Sequence, residues 1–160
     1  MLKTSRVVVA DDALNLSRDS RIVALRWDLV PWGIVLDLDV PISEAEGAAM
    51  RRAWLLFSGV ADVTIPMQSS RLPTGIWLTS SFAVEACAQE LLLYTCRALL
   101  PEFDGNRLRE NGTLGRISIR AQSLVGVVSE NSSLAGEYGL ALKARTDLAS
   151  DQEMLASLDA

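Results

Sequence analysis

The chain has 160 residues, with 15 basic and 20 acidic side chains, two cysteines and no histidine. That length fits one domain able to bury a core without metals or disulfides. The 49% hydrophobic and 22% charged composition is that of a folded protein, not a disordered one. Without histidine, Ser-His-Asp and Cys-His nucleophile systems, Cys₂His₂ zinc and a histidine pH switch are excluded, and two cysteines cannot make a Cys₄ site.

In chain order, residues 1–20 read as a lead-in segment. Val7 to Ala10 has strand composition and Asn15 to Ser20 is polar and turn-like. Ile22 to Trp27 is rich in β-branched and aromatic residues, with Val23, Leu25 and Trp27 on one parity and Ile22, Ala24 and Arg26 on the other. The stretch from Asp28 to Gly33 is a connection punctuated by Pro31 and Gly33. Ile34, Leu36, Leu38 and Val40 then alternate with Asp37 and Asp39, which predicts a strand with one face on a core and the other in water. The two runs form an antiparallel hairpin.

Pro41 to Gly47 reads as a loop, and Arg52 to Phe57 as the next strand. Ser58-Gly59 breaks it, and β-like composition resumes from Val60 to Ile65, so either a bent strand or a tight hairpin fits. Ile76 to Thr79 is a short strand. Residues 83–100 fit both a helical stripe and a buried strand, with strand preferred from Gln89. Pro101 to Gly115 reads as a long polar loop leading to a strand over 116–128, where Gly126 marks a bulge or a close backbone approach. Short helices are expected over 140–146 and 151–158, the second capped by Ser150 with Glu153 three residues on. The whole predicts a mainly β single domain over residues 1–160, antiparallel and sheet- or sandwich-like, with α+β as the alternative class. It carries short peripheral helices, and its acidic tail over 147–160 either forms a C-terminal helical segment or frays.

The only carboxylates that the pattern brings together are Asp28, Asp37 and Asp39. Asp37 and Asp39 share one strand face about 7 Å apart. Four uses are open: an oxygen-ligand cation site, a general acid and base pair, an acidic patch for a basic partner, or a solvated strand face. Trp27 and Trp54 read as core and Trp77 as packed. Trp32, in the loop, is either an interface anchor or an end cap. Arg51-Arg52 and Arg116 with Arg120 read as solvated edges or ion-pair partners. Cys87 and Cys96, nine apart, read as buried thiols. No phosphate loop, dinucleotide fingerprint or nucleophile elbow is present in the chain. With a net charge of -5 and no basic stripe, nucleic-acid binding is not expected. The apolar run at Val7 is too short for a signal-peptide core and Leu91 to Leu100 too short to span a bilayer, so a cytoplasmic location is expected.

Three strings resemble small bacterial immunity proteins of polymorphic toxin systems. RIVALRWDLVPWGIVLDLDVP resembles their opening hairpin, with a strand ending in Trp-Asp before one of alternating aliphatics. RRAWLLFSGVADVTIP resembles the next strand and GRISIRAQSLVGVVSE the last long one, so the likeness spans about residues 21–130. Residues 83–90 and 101–115 have no counterpart. The resemblance implies a cytoplasmic, non-enzymatic protein that occludes a cognate toxin, with no catalytic residue, metal or cofactor. The partner-facing residues expected on this reading are Asp28, Trp32, Asp37, Asp39, Glu44 and Glu46. Two other uses stay open: an enzyme or divalent-metal binder on the Asp28/Asp37/Asp39 face, and a self-associating structural module.

Overall fold

The computed structural model describes residues 5–27, 33–41, 50–65, 76–104 and 107–133, and the single positions 154, 156 and 158. Ten strands and one short helix follow in order: β1 Ser5–Val8, α1 Ala10–Asn15, β2 Ser20–Arg26, β3 Ile34–Pro41, β4 Met50–Ser58, β5 Asp62–Thr64, β6 Trp77–Leu78, β7 Ala83–Ala86, β8 Leu92–Asp104, β9 Arg107–Ala121 and β10 Ser123–Ser133. All pairings are antiparallel, in the order β1-β10-β4-β3-β2-β6-β8-β9-β5, with β7 also on β8.

The sheet closes on itself. Only Gln122 separates β9 from β10, so the two are one bent strand. That strand pairs with β8 through β9 and with β4 through β10. β4 and β5 bend beside it. Gln122 N–H donates to the Ser58 carbonyl and Ala61 N–H to the Arg120 carbonyl, which carries the pairing around the corner. A bent strand over 50–64, not a hairpin, is therefore what Gly59 permits. Gly59 has φ +63°, and a Cβ there would meet the Gln122 side chain at 2.6 Å.

The interior is filled from every side of the ring. Ile22, Leu36, Leu38, Leu55, Phe57, Leu78, Tyr94, Cys96, Ile117 and Ile119 form one buried cluster. Small residues (Ala53, Ala98 and Ala121) let the large ones interdigitate. Phe57 is the central aromatic, edge-on to Phe82 at 5.6 Å and to Tyr94 at 5.3 Å. β1 and α1 close one flank. Gly126 there faces Val8 and Leu16, whose carbons would lie 2.7 and 2.8 Å from an added Cβ, so it is a site of close approach as expected.

Several expectations change. Ala10–Asn15 is helical where the sequence reads only as a strand-like lead-in. Asp11 and Asp12 in its first turn complement the helix dipole, and Ala13 is its buried contact. Residues 83–104 are a β7–β8 hairpin. Its turn places Gln89 and Glu90 at positive φ, and Cys87 N–H donates to the Leu91 carbonyl. The polar stretch after Pro101 is not a long loop, because β8 runs on to Asp104 and β9 starts at Arg107, in register. The expected helix over 140–146 and most of that over 151–158 lie outside the described residues.

Candidate functional site

The outer face of β2, β3 and β4 carries the most concentrated polar chemistry among the described residues. β3 alternates as its sequence requires. Ile34, Leu36 and Leu38 point inward, so Val35, Asp37 and Asp39 point outward. In β2 a bulge at Val23 shifts the register, pairing Ile22 with Leu38 but Ala24 with Asp37. The shift puts both Arg21 and Arg26 on the outer face beside the aspartates. β4 presents Arg52 opposite Asp39 and Trp54 opposite Asp37.

These neighbours form a buried ionic cluster. Arg26 Nη2 donates to Asp37 Oδ1 at 2.9 Å, and Arg52 Nη2 donates to Asp37 Oδ2 at 2.6 Å. The Arg52 guanidinium lies 5.4 Å above the Trp54 ring. Asp37 and Asp39 are 1% and 0% exposed, so the face expected in water is covered. Burial pushes the Asp37 carboxyl above its ordinary value, against the opposing pull of Arg52 and then Arg26. The Asp37 charge is thus more costly to bury than its two partners offset.

Beside the ionic cluster the same face turns apolar. Val35, Trp54, Leu56 and Val127 pack with Met154 into a second buried cluster, separate from the barrel interior. Three donors here have no hydrogen-bond partner: Trp54 Nε1, Arg52 Nε and Arg52 Nη1.

Of the partner-facing residues expected from sequence, the structure brings Asp37 and Asp39 together. Asp28, Trp32, Glu44 and Glu46 lie outside the described residues. The tryptophans divide differently from expectation. Trp54 is fully buried, but on the outer face. Trp27 is 60% exposed and Trp77 40%, although the sequence reads the one as core and the other as packed. The Val23 bulge moves the inward positions of β2 to Ile22 and Leu25, and Trp27 falls just past the strand end. Trp77 lies opposite Arg21, next to the inward Leu78, and so faces out. Trp27 shares the parity of the inward Leu25 and so reads as core, but β2 ends at Arg26, and where a strand ends leaves no mark in a hydropathy pattern.

Both cysteines are free. Cys96 lies in the interior, its thiol donating to the Ser80 carbonyl at 3.1 Å, and burial raises its pKa. Cys87 is half-buried in the β7–β8 turn. Titration of the native protein with a thiol reagent at pH 8 is expected to label Cys87 alone. Cys96 should react only after denaturant is added. Rapid labelling of two thiols in the native state would contradict this placement.

No group of three or more acidic or cysteine side chains placed to hold a metal occurs among the described residues. No described helix is long and apolar enough to cross a membrane. No protein-family model matches the chain, and no curated protein or solved structure is detectably similar to it.

Proposed function

We propose that this chain is a non-enzymatic protein-binding protein acting in the cytoplasm as an immunity protein, which neutralises a cognate toxin by covering its active site. The observation that carries this reading is Trp27. It stands 60% exposed at the end of β2, immediately before Asp28 and five residues before Trp32 in the chain. A solvent-facing indole, with a second tryptophan five residues on in the chain, is the side-chain type most enriched at binding hot spots. The net charge of -5 would speed association with a basic partner. Asp37 is the weaker candidate contact, since both of its oxygens are already held by arginines. The same occupancy argues against Asp37 as an open cation ligand or a general base.

Co-expression with the product of the adjacent reading frame tests the proposal. The neighbour should be toxic alone and harmless with this chain. Trp27→Ala should weaken the complex by about 1.5–3 kcal/mol while leaving the unfolding midpoint unchanged. The reading fails if the neighbour is not toxic, or if this chain gives no relief.

Self-association is a second reading, favoured by one observation. β1 ends the strand order, and Val7 and Val9 beside that edge are 43% and 60% exposed. Sedimentation at several concentrations separates it from the first, because a protein that is monomeric throughout removes it.

A further inference from the structure

The outer face of β6, β8 and β9 sets two cations directly against each other. Cys96 and Ala98 point inward from β8, and Ile117 and Ile119 inward from β9, so Arg97 and Arg116 point out. The two are partners in register, and both are exposed. Side chains opposed in this way have Cβ atoms about 5 Å apart, and like charges there are destabilising. Arg120, four residues along the same face, has Asp62 of β5 opposite it and pairs with it. Arg116 has no such neighbour, because β5 ends at Thr64, opposite Ser118. Neither Arg97 nor Arg116 makes an ion pair among the described residues. The acids that register places on this face, Asp62 and Glu85, lie four residues along the strands, about 13 Å away. On that side Thr95 and Ser118 are opposite each other, so hydroxyls flank the cations. On the other side the face turns apolar. Trp77 of β6 lies opposite Leu99, two residues from Arg97, and is 40% exposed.

We propose that this face docks an acidic segment of a partner protein, in which one carboxylate bridges Arg97 and Arg116 and an adjacent aromatic side chain lies on Trp77 and Leu99. Charge complementarity selects the occupant. Each guanidinium offers a fork of N–H donors, and a carboxylate has an oxygen for each of them. The bound carboxylate turns the repulsion of the pair into charge-assisted hydrogen bonds. Trp77 beside it supplies an aromatic surface for a second ring. The positive charge is one pair wide, with Asp62 and Glu85 beyond it on the same face. A nucleic-acid strand runs on past the pair and meets those acids, on a chain of net charge -5, whereas a single carboxylate does not. The inference does not rest on the immunity reading. Trp77 lies opposite Arg21 at the start of β2, and Trp27 lies past the other end of that strand.

The test is an NMR titration of the isotopically labelled full chain with the peptide acetyl-Phe-Glu-Glu-amide, read at the Trp77 indole N–H, which Trp77→Phe identifies. Saturable shifts with a dissociation constant on the order of 1 mM are expected for so small a probe. Arg97→Gln and Arg116→Gln should each weaken binding about fivefold or more, the loss of a hydrogen bond to a charged group. Both variants should fold at least as well as the wild type, because each removes a like-charge contact. Lysine at either position keeps the charge but loses the fork, and should weaken binding several-fold. Acetyl-Gly-Glu-Glu-amide should bind the wild type several-fold more weakly, and Trp77→Ala should no longer distinguish the two peptides. Arg120→Gln, on the same face but already paired with Asp62, should change binding little. Absence of a saturable shift by about 10 mM peptide overturns the proposal. So do equal losses from Arg120→Gln and Arg116→Gln, and equal binding of the two peptides by the wild type. Inorganic phosphate that gives the same shifts with the same affinity makes the pair a general anion site and overturns it. Tighter binding of a single-stranded oligothymidylate, lost on the same arginine substitutions, assigns the face to nucleic acid and overturns it as well.

Discussion

Arg52→Met is expected to cost about 3–5 kcal/mol at neutral pH, and to recover part of that loss in mild acid. The substitution leaves Asp37 buried with Arg26 as its remaining hydrogen-bonded cation. Arg52 supplies the largest attraction opposing the burial of that carboxylate, so its removal lifts the folded-state pKa of Asp37 further above the unfolded value. The sign of the pH effect follows. A carboxyl raised on folding contributes stability that is complete below the unfolded pKa, about 3.9. That contribution is lost as pH rises through the folded-state value. Urea titrations should thus show the variant furthest below the wild type at pH 7 and closing the gap toward pH 4.5. Adding Asp37→Asn should restore part of the loss, because the undercompensated carboxylate is then neutral while the amide oxygen can still accept from Arg26. A deficit that does not change with pH would place the cost in lost packing over Trp54 instead. The contrasting pair is Arg120 with Asp62, which is exposed and cross-strand at the corner. Its removal should change little, because solvent screens it.

The strands are legible where one residue type keeps one parity. Leu36 and Leu38 point inward and Asp37 outward, as their alternation requires. The environment of the outward face is not legible. An alternating Asp reads as solvated, and here Arg26 and Arg52, 11 and 15 positions away in the chain, meet it across two strand boundaries. Such pairing depends on register, and a bulge at Val23 sets the register. The β8–β9 hairpin shows the opposite error. Its polar stretch reads as a loop because polar residues in a long strand resemble loop composition. The bend at Gly59 is visible as a break, while the choice between a bend and a hairpin needs the pairing partner of β5, which is β9 and not β4. Of the candidate site, the acidic pair is legible in the sequence, and the exposed Trp27 and the buried Arg52 and Met154 are not.

Phe57→Ala is expected to destabilise the barrel by about 3–5 kcal/mol, the range for deleting a large buried aromatic. Phe57 is 0% exposed on the inward face of β4, one residue before Ser58, where the sheet turns its corner. Its ring meets Phe82, which precedes β7, and Tyr94 in β8, so one side chain joins opposite walls of the ring. The residues opposite it in register, Ile34 and Leu124, belong to the paired strands and cannot move in to fill the space without breaking the ladder. The cavity should therefore persist, which places the loss toward the upper part of the range. For a chain of this length such a loss lowers the thermal midpoint by about 10 °C or more. Phe57→Leu, which keeps most of the volume, should cost about 1 kcal/mol. A double-mutant cycle with Tyr94→Leu should return a coupling of about 0.5–1.5 kcal/mol for the edge-on pair. A loss from Phe57→Ala no larger than that from Phe57→Leu would mean that the walls collapse around the site. That outcome would contradict an interior closed on all sides by paired strands.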